Sequence, residues 1–167
     1  MSDGALYRTK IHCYFLDQSR VVHPLPTEKN YHIFYQMMIS LSPEDRTQLA
    51  IDGYSVRDLR YLNQGDVRLD ETQEMERFQE WKMNLAVLGI PFIDVVRVLA
   101  SILLLGNVEF VEGNGLEVDV IGKEELKSAA NLIGVTANLL LQGLTSRTHN
   151  VRGQLVKSAS DANMVNF

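Results

Sequence analysis

Apolar residues recur along the chain in two rhythms, and each change of rhythm marks an element. Between Tyr7 and Val22, Ile11, Cys13 and Phe15 alternate with Lys10, His12 and Tyr14, a partial period of two that predicts a strand. His23-Pro24-Leu25-Pro26 ends it. Beyond the prolines, Tyr31, Phe34, Tyr35 and Met38 recur at spacings of three and four. With Thr27 as a capping hydroxyl, they predict a helix over Glu28 to Ser40 with one face in the core. Ser42-Pro43-Glu44-Asp45 combines a capping hydroxyl, a proline at the first helical position and acids near the positive end of the dipole. It predicts a short helix to Ala50. Ile51 to Val67 carries Gly53 and Gly65 and little periodicity, so it reads as loop with short turns. Asp70 caps a longer helix through Leu88, with Phe78, Trp81, Leu85 and Leu88 on one side. Gly89 and Pro91 close it and open the next, Phe92 to Leu105, which is apolar on most faces and therefore central.

From Gly106 the period shortens. Val108 and Phe110, then Gly113-Asn114-Gly115, then Leu116, Val118 and Val120 predict a hairpin. Lys123 to Ile133 and Thr136 to Leu144 come next as two short helices separated by Gly134, and Arg147 to Ser158 alternates weakly about Gly153 as a loop or small hairpin. The fold class is α+β, mainly helical, with strands at both ends and a small hairpin near residue 113. No internal repeat, low-complexity tract or linker divides the chain.

Composition narrows the class. With 167 residues, 46% apolar and 22% charged, the chain matches soluble globular usage and the size of one domain or a piece of one. Sixteen basic residues against twenty-one acidic ones give a net charge of −5, which excludes a generally basic nucleic-acid binder but not a local basic patch. Cys13 has no partner for an internal disulfide and no signal peptide precedes it, so a reducing, cytoplasmic setting is expected. The most apolar stretch, Val95 to Leu105, contains Arg97 and Ser101 and falls short of the roughly 20 residues of a membrane span.

Chemistry-bearing motifs are sparse. A phosphate-cradling loop requires G-x-x-x-x-G-K-[ST], and the one Gly-Lys pair, Gly122-Lys123, is followed by Glu124 and preceded at the required position by Glu117. His12, His23, His32 and His149 lack zinc-type spacing, so no metal site is expected. No G-x-S-x-G occurs, Cys13 reads as a small buried hydrophobe, and no catalytic residue is assigned. Asp70, Glu71, Glu74, Glu76 and Glu80 around Arg77 read as a solvated face near a helix start. Between Ser146 and Ser158, by contrast, Arg147, Arg152 and Lys157 occur with His149 and no acid. In an acidic chain this +3 loop is a candidate contact for an acidic partner.

Four segments, in order, resemble the myosin motor domain. Tyr14-Phe15-Leu16-Asp17-Gln18-Ser19-Arg20-Val21-Val22 is similar to the family's Y-L-L-E-K-S-R-V-V. Glu28-Lys29-Asn30-Tyr31-His32-Ile33-Phe34-Tyr35-Gln36 is similar to E-R-N-(Y/F)-H-I-F-Y-Q. Tyr61-Leu62-Asn63-Gln64 matches Y-L-N-Q, and Leu103-Leu104-Leu105-Gly106-Asn107-Val108-Glu109-Phe110 resembles L-H-L-G-N-(V/I)-x-F, with Leu104 in place of the histidine. The resemblance covers about Leu6 to Lys157 and implies that residues 1–167 are a partial motor domain within the P-loop myosin fold. It implies the upper actin-cleft subdomain, entered at a transducer strand after the switch that grips nucleotide and left before the R-D-A-L-A-K helix.

By this resemblance, the expected partners are the actin filament and the remainder of the motor, with no nucleic acid or membrane span, in a cytoplasmic, cytoskeleton-associated location. The actin-contact loop falls on Arg147, His149, Arg152, Gln154 and Lys157. Where the family usually places an acid or a phosphorylatable hydroxyl, two residues after the position of Arg152, this chain has Gln154, which carries no charge and accepts no phosphate. ATP and Mg²⁺ serve the parent motor; no cofactor is expected in this chain, because the loop and switches that act together on ATP are not among its motifs. The implied function is a contribution to an actin-based, ATP-driven motor without an ATPase of its own. The alternative is a stand-alone helical interaction module that keeps the scaffold without motor activity.

Overall fold

A computed structural model of the chain describes residues 10, 19–112, 118–151 and 154–159, with 147–151 and 154–159 described by their backbone. The first described element corrects the end of the expected N-terminal strand. Ser19–Val22 forms a single helical turn, α1. Val21 and Val22 favour strands by propensity, but the Val21 carbonyl accepts a hydrogen bond from Asn30 Nδ2 at 2.7 Å, and this tertiary contact prevails. Residues 11–18 of that strand, including His12 and Cys13, lie outside the described residues.

Helix α2 runs over His32–Ser40, starting later than a Thr27 cap predicts. Glu28 N–H closes a turn onto the Leu25 carbonyl at 2.9 Å, and this turn occupies the segment where a Thr27 cap would open the helix. Phe34, Tyr35 and Met38 are buried as the spacing requires, and Met37, outside that pattern, is buried with them. Tyr31 is not; it is 42% exposed, with the Arg20 guanidinium 5.7 Å from its ring centroid. Helix α3, Pro43–Gln48, is capped by Ser42 Oγ, which accepts from Asp45 N–H at 3.1 Å. It ends through Ala50, a non-glycine residue at φ 54°. Arg46 then joins α2 to the following loop, donating to the carbonyls of Met38 (2.9 Å), Ile51 (3.2 Å) and Tyr54.

Helix α4, Glu71–Val87, begins at Asp70, whose Oδ1 accepts from Gln73 N–H at 3.2 Å. Phe78 and Leu85 are buried and Trp81 is half-buried, but Leu88, beyond the last helical residue, is 65% exposed rather than on the core side. The acidic face is also not uniformly solvated. Glu74 is 4% exposed and accepts a hydrogen bond from Gln36 Nε2 of α2 at 2.8 Å. A buried carboxylate persists where such donors compensate its lost hydration.

Helix α5, Phe92–Gly106, is held to α4 by an aromatic triad: ring centroids of Phe78, Trp81 and Phe92 lie 5.5 to 5.7 Å apart. Val96, Ala100, Leu103 and Leu104 are buried, while Ile93 and Val98 remain exposed, so the helix is central on part of its surface. The main core gathers these residues with Tyr35, Met37, Leu49, Ile51, Leu59 and Leu62. A smaller core lies beyond it. There β1, Glu109–Glu112, pairs antiparallel with β2, Val118–Ile121, and puts Phe110 opposite Val120 over Leu126. The turn at 113–115 lies outside the described residues. Helix α6, Lys123–Ile133, packs on α5, and α7, Ala137–Thr145, is capped by Thr136 Oγ1 accepting from Leu139 N–H at 3.2 Å.

The chain continues as β3, Ser146–Val151, paired antiparallel with β4, Gln154–Ala159. The architecture is mainly helical, with two two-stranded sheets among the described residues. No described helix is long and apolar enough to cross a membrane.

Phe78 sits where α4, α5 and the main core meet, at 1% exposure. Phe78→Ala is expected to lower stability by about 3–5 kcal/mol, because the lost transfer energy adds to that of an incompletely collapsed cavity. A urea unfolding midpoint left unchanged by the substitution would show that this junction does not hold the core.

Candidate functional site

The residues that carry the family resemblance converge in the structure, but as a polar joint inside the protein. Asn30 is fully buried. Its Nδ2 donates to the carbonyls of Val21 and Tyr61, each at 2.7 Å, and its Oδ1 accepts from Tyr31 N–H at 2.8 Å. Its own backbone N–H donates to the Tyr35 hydroxyl at 3.1 Å, and that hydroxyl donates to the Leu62 carbonyl at 3.3 Å. Burial pushes the hydroxyls of Tyr35 and Tyr61 above their ordinary range. Gly65 completes the joint by close approach: a Cβ there would lie 2.0 Å from the Glu28 carbonyl oxygen, which accepts from Asp66 N–H at 3.2 Å.

Asn107 extends the joint to the end of α5. Its Oδ1 accepts from Arg60 N–H and its Nδ2 donates to the Asp58 carbonyl, both at 2.8 Å. Segments 19–22, 28–36, 61–65 and 103–110 are thus tied into one framework. Tyr54 links the same loop to α6 through a 2.8 Å hydrogen bond to Glu125 Oε1, and burial together with that bond pushes its hydroxyl up to about 12.

On this framework stands the basic segment. Thr145 Oγ1 donates back to the Leu141 carbonyl at 2.8 Å and Ser146 Oγ to the Gln142 carbonyl at 2.5 Å, so the last turn of α7 and the first strand residue are joined by side-chain bonds. The strand register then pairs Arg147 with Ser158, Thr148 with Lys157, His149 with Val156 and Val151 with Gln154. Directly opposed residues share a face and successive residues alternate. Positions 147, 149 and 154 therefore lie on one face of the ribbon and 157 on the other. Arg152 lies outside the described residues. The register thus sets positions 147 and 157 on opposite faces of the paired backbone.

The Gly122-Lys123 pair does not fit a nucleotide phosphate. Gly122, at φ 84°, turns β2 into α6 close to the Asn107 carbonyl, where a Cβ would come within 2.7 Å of that oxygen. Lys123 Nζ lies 3.2 Å from Asp119 Oδ1, whose carboxyl is held below its usual range first by the Val120 N–H and then by Lys123. Among the described residues, no group of three or more His, Cys, Asp or Glu side chains is placed to hold a metal. The Asn30 joint has no counterpart in the sequence reading; a buried polar residue with partners 9 and 31 positions away leaves no local signature.

The geometry defines a helical scaffold that presents a short β-ribbon at the end of α7. The chain belongs to the myosin head (motor domain) family, whose model matches residues 2–167. It is similar to Myosin-15 of Arabidopsis thaliana, 32% identical over 97% of this chain and 11% of the relative. It is likewise similar to the Myosin IC heavy chain of Dictyostelium discoideum, 32% identical over 86% of this chain and 12% of the relative. A third relative is Chitin synthase 8 of Mycosarcoma maydis, 30% identical over 95% of this chain and 8% of that protein. The chain spans about a tenth of the length of the curated relatives it matches.

Two measurements check the framework. Asn30→Ala leaves the Val21 and Tyr61 carbonyls and the Tyr31 amide without their partner and is expected to cost about 2–3 kcal/mol in chemical denaturation. For Tyr54, the hydroxyl is raised from an ordinary value of 10.0 to about 12 in the folded chain. The unfolded chain therefore loses its proton first, and the stability that Tyr54 contributes below pH 10 disappears as pH rises to about 12. Tyr54→Phe is expected to flatten that part of the stability profile; an unaltered slope would place the cause elsewhere.

Proposed function

We propose that the chain contributes the upper wall of the actin-binding cleft to an actin-based, ATP-driven motor, and that the β3–β4 ribbon contacts the filament. The observation that carries this reading is the ribbon itself: a paired backbone at the end of α7, with Arg147, His149, Arg152, Gln154 and Lys157 and no acid, in a chain of net charge −5. A basic element of this kind is attracted to an acidic filament, chiefly through association rate and at low ionic strength. Gln154 leaves the position neutral, so charge modulation by phosphate is not available there. Membership in the motor-domain family supports actin and the remainder of the motor as partners. ATP and Mg²⁺ are assigned to other parts of that motor, a reading supported by the lack of a phosphate-loop motif in this sequence.

The second reading is a helical interaction module without motor activity. It is favoured by the relative named chitin synthase, in which a similar stretch occurs in a protein named for another activity.

Co-sedimentation with actin filaments distinguishes the two. Arg147→Glu combined with Arg152→Glu is expected to weaken pelleting at least about tenfold at low salt. Pelleting equal to wild type would remove the ribbon from the interface and favour the module reading. Calorimetric titration of the chain with MgATP is expected to give no binding heat.

A further inference from the structure

Away from the ribbon, a cleft of about 390 Å³ opens between the end of α3, α5 and α6. Its lining divides by chemistry. Ile93 and Leu132 form its apolar side, over the fully buried Leu49. Gln48, Arg97, Ser128 and Asn131 bring an amide, a guanidinium, a hydroxyl and a second amide to the same space. Arg97 is half-buried on α5, yet among the described residues its guanidinium has no carboxylate within ion-pair distance and donates no hydrogen bond. The side chains of Gln48, Ser128 and Asn131 are equally uncommitted among the described residues.

The local backbone does not claim these donors. At the end of α3 the carbonyls of Asp45, Arg46 and Thr47 already accept from Leu49, Ile51 and Ala50, and at the end of α6 those of Ala130 and Asn131 accept from Val135 and Gly134. Asp94, one turn earlier on α5, forms no ion pair with Arg97. A guanidinium fork beside an apolar wall matches a carboxylate carried on an apolar body: two parallel N–H···O bonds fix the head, and the wall takes the tail. The volume lies at the lower end of small-molecule sites, which are mostly apolar with a few convergent polar groups. A cation is disfavoured by Arg97, and an inorganic anion would leave the apolar wall without a contact.

We propose that this cleft binds a small amphipathic carboxylate, with Arg97 on the carboxylate and Ile93 and Leu132 on the apolar body. The site is separate from the ribbon and does not depend on the actin reading.

The test is an NMR titration of the isotope-labelled full chain with 3-phenylpropionate, with 3-phenylpropionamide and inorganic phosphate as comparison probes. The expected result is a saturable shift confined to residues 48–50, 93–97 and 128–132, with the amide and phosphate binding at least about tenfold more weakly. Arg97→Gln should lose at least the same factor with an unchanged melting curve, because no partner among the described residues is lost; Arg97→Lys should retain part of the affinity. The proposal is overturned by equal binding of the amide, by phosphate binding as tightly, by full affinity in Arg97→Gln, or by a dissociation constant above about 10 mM. Tighter binding of a blocked Phe-Glu dipeptide than of the free acid would move the site to a protein partner and overturn the small-molecule assignment.

Discussion

The buried Asn30 amide is the constraint on which the arrangement of the helices depends. Its two Nδ2 hydrogens, its Oδ1 and its backbone N–H all have partners, drawn from α1, from the start of α2 and from the 61–62 turn. An aspartate in its place would lose both donors and bring a charge into the core, and an aliphatic residue would leave two carbonyls unanswered. Because the partners come from three segments, the joint fixes their relative positions, which the apolar contacts alone define less sharply. Asn107 does the same between the 58–60 turn and the end of α5. The segments that resemble the motor family thus include the residues of both polar joints, Asn30, Tyr61 and Asn107.

The part of the fold legible in the sequence is local. Ser42 and Asp70 announce α3 and α4 because a capping side chain needs only the amide three residues on. The period-two apolar runs around Phe110 and Val120 announce β1 and β2 for the same reason. Residues 19–22 and the start of α2 depart from the sequence reading because distant groups decide them: Val21 is captured by Asn30, and the Leu25–Glu28 turn displaces the expected Thr27 cap. The acidic neighbours of Glu74 suggest a solvated face, although Gln36, 38 positions away, buries it with a hydrogen bond. For the ribbon, the net charge is visible in the sequence but the pairing register is not. A shift of one residue in pairing exchanges every position between faces, and only the register decides which applies.

Order is distributed unevenly through the scaffold. Helices α2, α4 and α5 contribute side chains to the main core that are almost wholly buried, and the aromatic triad links two of them. Helix α7 has no fully buried residue; Leu140 packs against both cores and Leu141 against the smaller one. Few buried contacts mean a low free energy of local opening, so α7 belongs to the least strongly held part of the described fold.

That contrast bears on the ribbon, whose six paired positions define it internally while its mount is light. A partner meeting the ribbon does not have to impose strand order on a coil, so much of the backbone entropy of binding is already lost before contact. Leu140 and Leu141 are the side chains through which α7, and the ribbon that follows it, rest on the cores. Any partner of this segment would meet a backbone whose hydrogen bonds are already made.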